Sequence, residues 1–280
     1  MLAYRHLFHA GGFTDVFKHA LLVRLMLHLN KKDKPYFYLD THAGIGQYDL
    51  HHDWAQKNKE YEGGLAQVLK APHPPEELAP YLAAVTALNT FRSLRYYPGS
   101  PVLARRYMRA GDRMVLSELN REDCRELEHH FKGDRQVHVH NMDGYQALKA
   151  FLPPPERRGL VLVDSSFDRA QEFKRLADAF AEAHRRWDTG VFALWYPLMA
   201  WQDMERFERR IIATGIRKLL YLELSLFPEN WTESLRGCAM LVANPPWGFE
   251  EEAKKLLPWV RATLAGKNQG GWSVRWWVTE

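Results

Sequence analysis

The chain has 280 residues, of which 46% are hydrophobic, 26% charged and 13% aromatic. That makeup is of an ordinary folded chain and excludes disordered and fibrous classes. Thirty-eight Lys and Arg against 34 Asp and Glu leave a formal charge of +4, which permits an anionic partner without demanding one.

The length suits one large domain, or a core that carries an insertion. Two cysteines, Cys124 and Cys238, exclude a disulfide scaffold, and no Cys/His cluster has zinc spacing. The first residues lack the apolar core of a signal peptide. The most apolar run, Val191 to Trp201, is about half the ~20 residues that a membrane span needs. A soluble, cytoplasmic protein is expected.

In chain order, the N-terminal stretch Tyr4-Arg5-His6-Leu7-Phe8-His9-Ala10-Gly11-Gly12 comes first. Its rings, interleaved with Arg5 and later Lys18, would suit a stacked base and a phosphate. His6, His9 and His19 lack ligand-like spacing on one element, so no metal is expected. Thr14 or Asp15 can cap a helix running to about Leu29.

The first apolar run, Tyr36–Asp40, reads as a buried strand. It ends Asp40-Thr41-His42-Ala43-Gly44-Ile45-Gly46. An acid followed by Gly-x-Gly resembles a nucleotide-cofactor loop, because glycine lets the backbone approach a ligand. Alone it is more often an ordinary tight turn after a strand. The dinucleotide fingerprint and the P-loop are both missing, which disfavours NAD and nucleotide hydrolysis.

From Leu50 to Ala110 the rhythm breaks. Prolines 72, 74, 75, 80, 98 and 101 separate short helical stretches such as Leu78–Asn89 and Val102–Arg109, and no convincing strand is visible. We read residues 50–110 as an inserted helical subdomain, and 1–49 with 111–280 as the main domain. The insertion holds eight Lys or Arg and five Asp or Glu, an excess of three out of the chain's four. That distribution suggests an anionic partner.

Seven further strands are expected at Met114–Leu119, Gln136–His140, Leu160–Asp164, Val191–Tyr196, Leu219–Leu224, Ala239–Ala243 and Trp272–Val278. Helical periods at Asp123–Phe131, Gln146–Phe151, Ala170–Trp187 and Asp203–Ile212 lie between them. Alternation of this kind predicts an α/β fold, a mostly parallel sheet with helices on both faces.

The strand ends carry the chemistry. Glu118 suits a ribose diol, because a carboxylate accepts two hydrogen bonds. Asp143, before Gly144, could accept from an adenine amino group or simply cap the next helix. With Asp40 and Gly44, these form a constellation associated with S-adenosylmethionine (SAM) methyltransferases. The fourth strand ends Asp164-Ser165-Ser166-Phe167. An adenine N6 is a poor nucleophile. An Asp carboxylate accepting its N–H localises the lone pair, and an aromatic ring fixes the base. Asp164 and Phe167 could supply both. Asn244-Pro245-Pro246-Trp247 looks like the usual form of that tetrad. Chain order argues for a late strand-end turn instead, with a smaller chance of substrate contact.

Several stretches together closely resemble the RlmJ family of bacterial 23S rRNA (adenine-N6) methyltransferases. They are Tyr4-Arg5-His6, Phe8-His9-Ala10-Gly11, Asp15-Val16, Lys18-His19 and Lys34-Pro35. Further along are Tyr38-Leu39-Asp40-Thr41-His42-Ala43-Gly44, Tyr97-Pro98-Gly99-Ser100-Pro101, Glu118-Leu119-Asn120, Asp143-Gly144 and Asn244-Pro245-Pro246-Trp247. The resemblance implies a Rossmann-like class I SAM-dependent methyltransferase, with a seven-stranded-type sheet and a small inserted helical subdomain. It implies that His19, His42, Ser100, Glu118, Asp143 and Gly144 bind SAM, in addition to Asp40 and Gly44. Asp164 would be the catalytic acceptor. Tyr4 would lie near substrate, with Phe167 and Lys18. The partner would be 23S rRNA, protein-free or in early assembly, met by a monomer away from any membrane.

The family pattern has Asp-Pro-Pro-Tyr where this chain has Asp164-Ser165-Ser166-Phe167, which leaves the loop less pre-organised. Two alternatives follow: an RNA-binding or assembly protein that has lost efficient catalysis, or a SAM enzyme acting on another amino group, such as DNA adenine.

Overall fold

The structure is a computed structural model that describes residues 5–90, 93–167, 171–228, 230–231, 235–267 and 269–280. A 3-10 turn at His6–Phe8 precedes helix α1 (Phe13–Asn30) and strand β1 (Phe37–Asp40). Next come β2 (Gln47–Asp49), α2 (Asp53–Asn58), α3 (Glu60–Gly63), α4 (Leu65–Lys70), α5 (Ala79–Thr86), β3 (Tyr96–Pro98) and α6 (Ser100–Tyr107). Alternation then sets in with β4 (Arg113–Ser117), α7 (Arg121–His130), β5 (Val137–His140), α8 (Gly144–Phe151), β6 (Gly159–Val163), α9 (Glu172–Arg186), β7 (Val191–Pro197) and α10 (Trp201–Ile212). The chain closes with β8 (Leu219–Ser225), β9 (Gly237–Ala243), α11 (Phe249–Leu264) and β10 (Gly271–Val278).

All eight expected strands are present and join one sheet in the order β10-β8-β9-β7-β6-β1-β4-β5. The five strands from β7 to β5 are parallel, whereas β9, β8 and β10 run antiparallel to their neighbours. The fold is α/β, with β10 as an eighth edge strand beyond the seven-stranded type. The central strands are continuously apolar because both faces are covered. Tyr38 points into one core with Leu21, Leu116 and Leu162. Its neighbours Phe37 and Leu39 point into the opposite core with Val161 and Phe180, as the two-residue period of a strand requires.

Parallel strands also align their carboxyl ends. Asp40 pairs with Leu116 on one side and Leu162 on the other, so the loops after β1, β4 and β6 emerge side by side. That edge is where open α/β sheets take ligands.

The interval after β1 is more closely tied to the main body than its prolines suggest. Strands β2 and β3 pair antiparallel, with Asp49 opposite Tyr96, so the excursion leaves and returns at one point. Arg95 binds Asp49 through Nε at 3.1 Å and Nη2 at 2.9 Å. Strand β3 has three residues and ends at Pro98, too short to show alternation. Helix α6, read with the insertion, packs against α1 and β1. Helix α11 is masked in the sequence. Its buried Phe249, Ala253, Leu256, Leu257 and Val260 follow a helical period, but Pro258 lies inside it, and proline is normally a helix breaker.

Candidate active site

A cavity opens at the carboxyl edge of the parallel strands. Its walls include His6, Lys18, His19, His42, Gly44, Tyr48, Ser100, Glu118, Asp143, Gly144, Asp164 and Ser165. Nine of the site residues expected from the sequence therefore share one cavity: Lys18, His19, His42, Gly44, Ser100, Glu118, Asp143, Gly144 and Asp164.

One wall is built on glycine. Gly44 has φ +61, and an added Cβ would collide with the Tyr48 hydroxyl. Its N–H donates to Glu118 Oε2 at 2.9 Å, and Asn120 N–H donates to Glu118 Oε1 at 2.7 Å. These two backbone bonds fix the carboxylate, and each oxygen keeps a second lone pair for a ligand. Burial pushes the Glu118 carboxyl above its ordinary value, against the pull of the Asn120 and Gly44 amides. Gly144 leaves no room for a side chain, because a Cβ would strike the Thr41 carbonyl and the His42 ring. Beside it, Asp143 caps α8 by accepting from Tyr145 N–H at 2.9 Å and Gln146 N–H at 3.2 Å.

Two buried histidines line the interior. His19 Nδ1 is 2.7 Å from the Tyr97 hydroxyl, while its Nε2 has no hydrogen-bond partner among the described residues. Burial, reinforced by Lys18, drives the His19 imidazolium well below its usual range, so the ring is neutral. Burial also lowers His42, whose Nδ1 is 2.8 Å from Thr41 Oγ1.

The opposite wall is charged. Lys18 Nζ donates to Asp164 Oδ2 at 2.6 Å and lies 2.9 Å from Asp15 Oδ1. Asp15 is fully buried and also accepts from Gly11 N–H at 3.0 Å, with His6 Nε2 at 3.0 Å. Burial alone would push the Asp15 carboxyl up, but His6 and Lys18 beside it bring it well below the carboxylate range. Helix α1 thus presents a buried ion cluster to the loop after β6.

Two expected residues are placed elsewhere. Asp40 does not line the cavity but lies beneath it, accepting from the Tyr38 hydroxyl at 2.9 Å and from His42 N–H at 3.3 Å. Burial raises its carboxyl to about 6, opposed by a Ser100 hydrogen bond. Asp40 therefore holds the wall residues rather than the ligand. Phe167 is also not at the cavity. Its backbone sits at φ +53, and its ring packs against Phe173 at 4.9 Å and edge-on to Trp195 at 6.3 Å. An apolar ring gains more from these partners than from the cavity mouth. Tyr4 lies outside the described residues.

Sequence reasoning missed Tyr48, Tyr145, Glu172 and Arg175, which also border the cavity. Only Tyr48 left a signal, in its closeness to the Gly44-Ile45-Gly46 turn. Asn244-Pro245-Pro246-Trp247 lies on the other edge of the sheet. Strand β9 is antiparallel to β7 and sets Ala243 opposite Phe192, so its end meets the start of β7. There Asn244 Nδ2 donates to the carbonyls of Asp188 and Gly190 at 2.7 and 2.8 Å.

Among the described residues, no group of three or more His, Cys, Asp or Glu could hold a metal ion, and no helix is long and apolar enough to cross a membrane.

A family model described as "RsmJ: Ribosomal RNA large subunit methyltransferase D, RlmJ" matches residues 33–278. The chain is 40% identical over 280 residues to Ribosomal RNA large subunit methyltransferase J of Escherichia coli (strain K12), covering all of both. It is 39% identical over 281 residues to the protein of the same name from Haemophilus influenzae, again across the whole of both. A crystal structure of a Legionella pneumophila protein superposes with a TM-score of 0.89 at 35% identity, covering 96% of this chain and 98% of that one.

Proposed function

Because the chain belongs to the RlmJ family of ribosomal RNA large-subunit methyltransferases, we propose that it methylates the N6 amino group of an adenine in 23S rRNA, with SAM as donor. The observation that carries this reading is the division of one cavity into a glycine-and-carboxylate wall and a wall bearing Asp164.

The first wall suits SAM. Glu118 offers acceptors to a diol, the absent side chains of Gly44 and Gly144 leave room, and the buried His19 Nε2 offers an unused polar atom. Bound there, SAM supplies an electrophilic methyl carbon. Asp143 and Gly144 would hold its adenine end, and Ser100 and His42 rest on buried Asp40.

The second wall serves the incoming base. Asp164 accepts an N6–H bond, which localises the nitrogen lone pair. Lys18 holds the carboxylate in one orientation, as a near-attack geometry requires. Tyr4 is assigned to the substrate side on resemblance alone. Phe167 supports the loop through Phe173 and Trp195 rather than stacking on the base. The substrate is RNA free of ribosomal proteins or in early assembly, the compartment is the cytoplasm, and one copy of the chain suffices.

The test is transfer of labelled methyl from SAM to transcribed 23S rRNA, followed by digestion to nucleosides. Label in N6-methyladenosine is expected. Binding of both SAM and RNA without label would replace this reading with an RNA-binding role. Label on DNA in preference to RNA would change the substrate.

A further inference from the structure

Between Asp164 and Phe167 the chain carries two serines. Prolines there would fix φ at two positions. Serines do not, so the turn that carries Asp164 needs another tie. Ser165 Oγ donates to Glu172 Oε1 at 2.5 Å, and the Tyr145 hydroxyl donates to the same oxygen at 2.6 Å. Arg175 Nη1 donates to the other oxygen at 3.2 Å, and its Nη2 lies 3.5 Å from Asp143 Oδ2. The same guanidinium stands 4.9 Å over the Tyr145 ring.

Glu172 is only 5% exposed, as is Ser165. A carboxylate so buried must be fully paired, and hydrogen bonds to it are short and strong. Glu172 also opens α9, a helix of 15 residues, where the macrodipole favours negative charge. Its position is fixed from three sides.

We propose that Glu172 is a positioning residue for Asp164. Through Ser165 it holds the Asp164–Phe167 turn, and through Tyr145 and Arg175 it joins that turn to the Asp143–Gly144 turn across the cavity. The assignment rests on the methyl-transfer reading and deepens it. A side-chain contact takes the place of backbone stiffness in setting where the acceptor carboxylate stands. Misplacing a reacting group by ~1 Å can cost ~10²-fold in rate, so a looser tie is visible as a smaller loss.

The test compares the wild type with Glu172→Gln, Ser165→Ala and the double variant. Single-turnover methyl transfer, SAM affinity and amide exchange of the peptide spanning residues 164–167 are measured on each. Each single variant is expected to slow transfer by about tenfold and to speed loop exchange by about tenfold. SAM affinity should move less than about threefold in Ser165→Ala, which leaves the Tyr145 and Arg175 contacts in place, and more in Glu172→Gln, which disturbs the Asp143 wall. The double variant should be little worse than the worse single one, because Ser165→Ala deletes the donor and Glu172→Gln weakens the acceptor of the same contact. Should Glu172→Gln fail to fold, Ser165→Ala removes a single hydroxyl and still reads the contact. Unchanged loop exchange and transfer in Ser165→Ala, or penalties that simply add, would overturn the proposal. A wild type that binds SAM and RNA but transfers nothing overturns the methyl-transfer reading instead. Loop exchange then decides whether the Glu172 tie itself exists.

Discussion

Lys18 Nζ stands between two carboxylates, 2.6 Å from Asp164 Oδ2 and 2.9 Å from Asp15 Oδ1. Lys18 and Asp164 are 146 positions apart in sequence. The ammonium therefore does two jobs. It compensates a fully buried acid in α1, and it orients the acid on the loop after β6. Stability and methyl transfer meet at one side chain.

Removing that ammonium should be costly. Breaking a buried pair by deleting one partner typically costs about 3–5 kcal/mol. For Lys18→Met, a thermal midpoint lower by roughly 10 °C is expected, read by circular dichroism at neutral pH. Adding Asp15→Asn should restore part of the loss, because the orphaned charge is gone. A Lys18→Met protein as stable as the wild type would contradict the ion cluster.

Asp164→Ala tests the acceptor directly. Transfer to RNA should fall by roughly 10²–10³-fold, the scale of losing one preorganised hydrogen-bonding group. SAM affinity, measured by calorimetry, should stay close to that of the wild type. An active Ala variant would remove Asp164 from the mechanism.

Glu118→Gln should show the reverse split. The amide cannot accept on both arms from Gly44 and Asn120, and it loses the charge that strengthens bonds to a diol. Hydrogen bonds to charged groups contribute about 1.5–3 kcal/mol, so SAM should bind roughly 10–100-fold more weakly. The maximal transfer rate at saturating SAM should change far less.

Asp40 gives a pH signature. Its carboxyl titrates near 6 in the fold, above the ~3.9 of an unfolded Asp. The native state therefore binds the proton more tightly. The stabilisation this brings is complete below about pH 4 and is lost as the pH rises through about 6. Asp40→Asn should therefore improve relative to the wild type between pH 4 and pH 7, by up to about 3 kcal/mol. Denaturant melts at the two pH values measure it, and a pH-independent difference would refute the raised carboxyl.

Much of this was legible in the sequence. All eight apolar runs became strands; burial on both faces leaves no polar alternation to blur β1, β4 and β6 to β9, whereas the edge strands β5 and β10 are largely uncovered. Glu118, Asp143 and Asp164 were visible as acids at strand ends, and parallel strands bring such ends together. Depth within the edge was not legible. Asp40 has the same sequence context as a ligand-facing acid, yet the Tyr38 hydroxyl and the His42 amide claim it from inside. Phe167 depends on its neighbours Phe173 and Trp195, the second of which is contributed by another strand. Glu172 and Tyr145 meet only through tertiary packing, so neither carries a local motif.

The antiparallel run of β9 has a practical consequence. The best match to the amino-methylation tetrad, Asn244-Pro245-Pro246-Trp247, sits at one rim of the sheet, and Asp164-Ser165-Ser166-Phe167, a poorer match, at the other. A seven-residue strand such as β9 separates the rims by roughly 20 Å. A motif search blind to strand direction would rank first the tetrad that lies away from the cavity. Polarity works here as an address: a tetrad at the end of β6 opens onto the cavity, and one at the end of antiparallel β9 turns the chain at the far rim.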